Sequence, residues 1–282
     1  MNSQQSTVNG QGEPPSWRPY ELAGTGGPGQ ITLQVSSLVS TRDVLAALPP
    51  GYAEENTRYP VVYMHDGQNL FDPATSYTHD WGLVETLNRL ARTGVKPIVI
   101  GIPNRGRHRR YEYSPFRDIL HGGGSGGGGG NRYLDFIVGT LKPLVDESFR
   151  TRIERSHTVI AGASLGGLIS LYALYRHPEV FGAAGVQSPA LWLANRAIFG
   201  FLAEQPAGPQ GGGGNRIHLD VGTEEGARAL EEVRELRELL VTAGYVEGRD
   251  LSYVEQPGAG HDEVAWGRRF REALPFLLGN PG

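Results

Sequence analysis

The stretch "VIAGASLGGL" places Ser164 between Gly162 and Gly166, after an apolar run and before an apolar pattern of helical period. A serine at such a strand-to-helix turn can act as a nucleophile. The flanking glycines let the turn stay tight and let backbone pack close to it, and the hydroxyl is lifted clear of the sheet. The Leu165 amide, at the start of the helix, is then aimed at the place where negative charge develops in the reaction. In this arrangement the acid and then the base follow the nucleophile along the chain, the base on the loop after the last strand. His261, in "LSYVEQPGAGHDEVAW", meets that condition. His65, His79, His108, His121 and His157 precede Ser164, His177 closes a helix beside Pro178, and His218 lies within a strand pattern. No two histidines stand at metal-ligand spacing, so no metal site is expected.

The acid should follow the strand before the last one, where "LDVGTEEG" offers Asp220, Glu224 and Glu225. In "RIHLDVG" the pleat puts His218 and Asp220 on the same side, which would engage Asp220 in buried hydrogen bonds. Glu224 and Glu225 come just past the strand end, where a side chain can reach over the sheet edge. They also suit the first turn of the next helix, which favours carboxylates on its own account. Glu225 is the preferred acid, with Asp220 and Glu224 as the alternatives.

A second oxyanion donor is expected from the loop after "VVYMH", where the sequence reads "HDGQNLFD". Gly67 there permits an unusual backbone angle, which would turn the Gly67 or Gln68 amide towards Ser164. "HGGG", starting at His121, is a rival amide loop, but only one helix and one strand separate it from Ser164, so it occupies the wrong connection. The run Gly122–Gly124 with Gly126–Gly130 reads instead as a flexible connection near the rim of the site, a candidate lid. Trp81, Ser188 and Trp192 fall in segments that end near the site and are candidates for substrate binding. One of Arg105, Arg107, Arg109, Arg110 and Arg117 could bind an acidic substrate, and Arg110 with Glu112 could brace that loop.

The elements that must position these groups are legible from periodicity. "ITLQVSS" and "TRDVLAAL" alternate as an antiparallel hairpin. "YPVVYMH", "KPIVIGI", "HTVIAG", "FGAAGVQS", "RIHLDVG" and "DLSYVEQ" read as buried strands. "WGLVETLNRLAR", "NRYLDFIVGTLKPLVDESF" (despite Pro143), "LGGLISLYALYRHP", "EEGARALEEVRELRELLVTAG" and "DEVAWGRRFREALPFLL" read as helices between or after them. Alternation of this kind implies a mostly parallel central sheet with helices on both faces, plus the N-terminal hairpin. Ligands then bind beyond the carboxyl ends of the strands.

The 282 residues suit one large domain, here 30–282, after a polar Gly- and Pro-rich segment 1–29 expected to be a partly mobile tail. A formal charge of −4 argues against a nucleic-acid partner. No apolar run of membrane-spanning length exists and the first residues lack a signal-peptide pattern, so no membrane partner is expected. With no cysteine, thiolate chemistry and disulfides are excluded, and the cytoplasm is the default location.

From about Ile31 to the C-terminus the chain resembles the Putative esterase family of α/β-hydrolases, which includes enterochelin esterases, feruloyl esterases, S-formylglutathione hydrolases and mycolyltransferases of the antigen 85 type. The motifs that carry the resemblance are "LPPGY", "YPVVYMHDGQNLFD", "WGLVETL", "YEYSP", "YLDFIVGTLKPLVDESFRT", "GASLGGLISLYALYRHPEVFG", "SPALW", "LDVGTEEG" and "GAGHDEVAWGRRF". The resemblance implies an α/β-hydrolase fold, Ser164 as nucleophile, His261 as base, an acid at Glu225, and an oxyanion loop at Gly67 and Gln68. The glycine runs depart from the family pattern. The expected activity is serine-dependent hydrolysis of small or medium acyl or aryl esters through an acyl-enzyme, without a cofactor. Transfer to an alcohol or sugar acceptor is an alternative. A non-enzymatic siderophore- or carbohydrate-binding role on the same scaffold is another, against which Ser164 and His261 both argue.

Overall fold

The computed structural model describes residues 17–19, 30–36, 41–118, 127–206, 208 and 214–279. In chain order its strands are β1 (Trp17–Pro19), β2 (Gln30–Ser36), β3 (Thr41–Ala47), β4 (Val61–His65), β5 (Ile98–Ile102), β6 (Thr158–Ala163), β7 (Ala183–Gln187), β8 (Arg216–Gly222) and β9 (Leu251–Gln256). Every residue of β4, β5, β6 and β7 is buried. Such strands must pair on both edges and be covered on both faces. They do so in one nine-stranded sheet of order β1-β2-β3-β5-β4-β6-β7-β8-β9. β1, β2, β3 and β5 pair antiparallel in succession, and all pairings from β5 to β9 are parallel. The carboxyl ends of β4, β6, β7, β8 and β9 therefore share one edge of the sheet.

Alternate residues of one strand enter opposite layers, as the pleat requires. Val61 and Tyr63 join one core cluster, and Val62 and Met64 the other. The first layer is filled by α3 (Gly130–Phe136), α4 (Lys142–Ser148), α5 (Leu165–Arg176), α6 (Leu193–Ala203) and α7 (Ala227–Thr242). The second is filled by α1 (Leu83–Ala91) and α8 (Glu263–Leu277), where Leu83, Leu87 and Leu90 meet a cluster containing Trp266, Phe270 and Leu274. The remaining helix, α2 (Arg109–Tyr113), is one turn long and too short to show a period; neither it nor α6 was expected from patterning.

The segment 130–148 is one helical rod despite Pro143. Ile137–Leu141 forms a π-turn between α3 and α4. The wider turn shifts the hydrogen-bond ladder so that Pro143 falls in the first turn of α4, where its missing N–H costs nothing. The segment read as a tail contributes β1, which pairs with β2.

His121, Gly122–Gly124, Ser125 and Gly126 lie outside the described residues. The rest of the glycine run is not a free spacer. The Gly128 and Gly130 amides donate to Ser114 O at 3.0 Å each, and the Gly129 amide donates to Tyr111 O at 3.0 Å. A Cβ on Gly129 would lie 2.3 Å from the Tyr111 ring. Gly127–Gly130 are thus built into the junction of α2 and α3. Removal of two residues from Gly122–Gly126 is expected to leave turnover of a small acetate ester within about fivefold, since loop length costs little to close. Gly129→Val should instead lower the thermal midpoint by several degrees. A thousandfold loss of kcat from the first deletion, with the fold intact, would return the oxyanion role to the HGGG stretch.

Candidate active site

Ser164 joins β6 to α5 with φ 58 and ψ −118, a conformation that side chains other than glycine rarely adopt. Such strain costs on the order of 1–3 kcal/mol and persists only where surroundings over-determine it. Here the Ser164 amide donates to Gln187 O at 2.9 Å, while Ser164 O accepts from Leu168 N at 3.1 Å and Ala190 N at 3.0 Å. β7 and the residues after it therefore hold the turn, and the side chain stays part-exposed. Leu165 opens α5, so its N–H has no partner within the helix.

The turn after β4 comprises Gly67–Asn69. Its left-handed residue is Asp66, at φ 55 and ψ 45, and not Gly67. The expectation that Gly67 supplies the unusual angle is thus corrected. Gly67 is needed for space, since a Cβ there would lie 2.4 Å from Gly101 C and 2.6 Å from Ile102 N of β5. Aspartate tolerates the left-handed region, and Asp66 is fixed further by Arg109, whose Nε and Nη2 donate to its two oxygens at 2.7 Å each. Asn104 Nδ2 adds a third donor at 2.7 Å. The turn's own bonds use the Asn69 and Leu70 amides. Gln68 is held by its side chain, which accepts from the Asn104 amide at 3.1 Å.

His261 lies between β9 and α8. Its Nδ1 is 2.6 Å from Glu225 Oε2, and its ring stands edge-on to Trp266 with centroids 4.8 Å apart. A carboxylate only accepts, so Nδ1 carries the proton and Nε2 is left with a lone pair. The Glu225 side chain is 2% exposed, the imidazole 46%. Glu225 follows β8 in the short turn Thr223–Glu225. Its Oε1 accepts from Gly222 N at 2.7 Å and Ser188 Oγ at 2.6 Å. Of the other carboxylates, Glu224 is exposed. Asp220 is fully buried and engaged by His218 Nε2 at 3.0 Å and Arg269 Nε at 2.8 Å. Among the described residues, neither Ser164 Oγ nor His261 Nε2 makes a hydrogen bond. Both residues lie at the shared carboxyl edge of the sheet.

The proposed pocket residues separate. Trp81 is buried in the core, 6.1 Å from Trp266 and 5.8 Å from Phe270 between ring centroids. Ser188 is buried too, and its hydroxyl serves Glu225 instead of a ligand. Trp192 is 38% exposed, two residues beyond the amide that holds Ser164 O, with the Arg110 guanidinium 5.6 Å from its ring. The Arg110–Glu112 pair does not form. Arg110 pairs with Asp118 and Glu112 with Arg42, because residues two apart on a helix point away from each other. Among the described residues no group of three His, Asp or Glu side chains could hold a metal.

Three groups were missed. Trp266 and Arg269 stand three residues apart on α8, one helical face, directly after His261; that spacing was the available signal. His65 precedes Ser164 in the chain, outside the place expected of the base. It is buried at the end of β4, with Nδ1 2.8 Å from Tyr133 Oη, and a Cβ on Gly162 would come within 3.0 Å of its Cδ2. Burial, together with Arg109 and Arg42, pushes its pKa down to about 3, and nearby Asp66 opposes this. The unfolded chain therefore takes up this proton near pH 6.5 while the folded chain does not. The stability this withholds is present above pH 6.5 and is lost as pH falls towards 3, on the order of a few kcal/mol in all. Denaturant unfolding across that range should show a shallower pH dependence in His65→Phe than in wild type; equal slopes would show that His65 is not buried neutral.

A strained serine at a strand–helix turn, with a Glu-supported histidine on the same sheet edge, defines a serine hydrolase on an α/β-hydrolase scaffold. The model of the family described as "Putative esterase" matches residues 36–277, and the chain belongs to that family; it is an esterase-class enzyme. It is 27% identical over 246 residues to the uncharacterized protein YbbA of Bacillus subtilis, covering 82% of this chain and 90% of that one. It is 32% identical over 235 residues to the iron(III) salmochelin esterase of Escherichia coli, covering 78% of this chain but only 50% of the relative's length. Among solved structures, the siderophore hydrolase EstA of Aspergillus nidulans superposes with a TM-score of 0.70 at 22% identity, over 90% of this chain and 95% of that one. That likeness bears on the fold alone. No helix among the described residues is long and apolar enough to cross a membrane.

Proposed function

We propose that the protein is a carboxylic-ester hydrolase in which Ser164, His261 and Glu225 form the catalytic triad. The observation that carries this is the 2.6 Å contact of His261 Nδ1 with the buried Glu225 carboxylate, at the sheet edge that presents strained Ser164. His261 Nε2 accepts the Ser164 proton as Oγ attacks the ester carbonyl. The Leu165 amide and the Gly67 or Gln68 amide take the developing oxyanion. The imidazolium then protonates the departing alcohol, leaving an acyl-serine, and water activated by the same nitrogen releases the acid. Glu225 fixes the tautomer and stabilises the imidazolium.

The substrate class is an aryl or siderophore-type ester. Trp192, two residues beyond the amide that bonds Ser164 O, has the Arg110 guanidinium over its ring, a cation-backed aromatic surface suited to an electron-rich ring. The salmochelin esterase supports the same class. A cytoplasmic location belongs to this proposal, on composition, and cell fractionation tests it. The deciding experiment is labelling with a fluorophosphonate followed by peptide mapping, alongside kcat/KM for p-nitrophenyl esters, methyl ferulate and a catecholate trilactone with and without iron. Label on Ser164 and a preference for aryl esters are expected. A protein that takes no label and turns over no ester would overturn the proposal.

A further inference from the structure

Four buried side chains, Arg269, Asp220, Ser188 and Trp266, meet behind Glu225. Arg269 of α8 sits between two carboxylates. Its Nε donates to Asp220 Oδ1 at 2.8 Å, and its Nη2 lies 3.4 Å from Glu225 Oε1. The same Nη2 donates to Ser188 Oγ at 2.7 Å, and Trp266 Nε1 donates there too, at 3.0 Å. Ser188 Oγ in turn donates to Glu225 Oε1 at 2.6 Å. Ser188 has φ 41, a strained angle that directs its hydroxyl into this junction. Asp220 is closed off on its far side by His218, whose Nδ1 reaches Ser252 Oγ at 2.9 Å. The side chains of Arg269, Asp220 and Glu225 are each 2% exposed or less.

We infer that Arg269 is a positioning residue for the reaction: with Ser188 it clamps Glu225 Oε1, so that Oε2 alone faces His261, and its charge sets the field in which the imidazole works. The inference rests on the assignment of Glu225 as the acid. The physical argument has two parts. A buried carboxylate can rotate unless both oxygens are committed, and Oε1 here has donors from Gly222, Ser188 and Arg269. Two buried carboxylates also repel, and one guanidinium between them offsets this. Asp220 thus acts on His261 at one remove, by holding Arg269. The charged or titratable groups facing this unit are Asp220 and His218 from β8, Glu225 from the turn after it, and His261 from the loop before α8.

The test is the pH profile of kcat/KM on a small p-nitrophenyl ester. Loss of a positive charge beside Glu225 favours protonated, inactive imidazole. Arg269→Met should therefore move the acidic limb up by about one pH unit, with a loss in kcat/KM of about tenfold below the limb, a smaller loss at pH 7, recovery at higher pH and KM unchanged. Arg269→Lys keeps the charge and should leave the limb in place. Asp220→Asn removes the opposing charge and should move the limb down, which keeps the inference testable should Arg269→Met fail to fold. A rate loss uniform in pH in Arg269→Met, or an unmoved limb in Asp220→Asn, would reduce Arg269 to a packing residue. Full activity in Glu225→Gln would instead sink the acid assignment, whatever the Arg269 variants show.

Discussion

Ser164→Ala is expected to lower kcat on a small ester by roughly 10⁴-fold or more while substrate still binds, because the members of a triad act as a unit. The structure adds a second expectation. Alanine keeps the strained φ 58 imposed by Gln187 O, Leu168 N and Ala190 N, so the thermal midpoint should change little. Kinetics with active-site titration and a melting curve check both. Retention of even a tenth of wild-type kcat would remove Ser164 from the nucleophile's role. A large drop in midpoint would mean that the hydroxyl has a structural partner.

Glu225→Gln should cost about 10²- to 10⁴-fold in kcat, by disfavouring the productive tautomer of His261 and removing the charge that stabilises imidazolium. A glutamine amide placed at Oε2 would set one of its N–H groups against the imidazole Nδ1–H, or force the ring to the wrong tautomer. Because Oε1 is tied to Gly222, Ser188 and Arg269, some loss of midpoint accompanies the loss of rate. Asp220→Asn is the control. It breaks a buried ion pair with Arg269, so its main cost is stability, about 3 kcal/mol or more. If Asp220→Asn lost 10³-fold in kcat while Glu225→Gln stayed near wild type, the acid would be Asp220. Glu224→Gln, at an exposed position, should be silent in both measurements.

Much of the fold could be read from the residues. Fully apolar runs such as "VVYM" and "VIAGA" can exist only inside a sheet covered on both faces, and period-2 and period-3.6 patterns are local, so they survive without tertiary information. Pro143 did not break its helix, because a π-turn shifted the ladder to accommodate it. The places of Ser164 and His261 in the fold were legible for a related reason. A strand–turn–helix junction and the loop after the last strand are both statements about order along the chain.

What order along the chain does not encode is which atoms finally meet. The pleat of β8 already set Asp220 beside His218, but Glu224 and Glu225 are nearly equivalent as sequence; the pairing of β8 with β9 and the packing of α8 turned Glu225 towards His261 and brought Arg269 to Asp220. Ser188 and Trp81 fall in the right segments, yet one became a donor to the acid and the other core. Gly67 was rightly marked as special for the wrong reason: its constraint is β5 backbone at 2.4 Å, a neighbour far away in the chain, and not its own φ. Short-range pattern follows from each residue's own covalent geometry and from which face must be dry. The hydrogen-bond partners of a buried polar group depend on distances across the fold, and those exist only once the layers have packed.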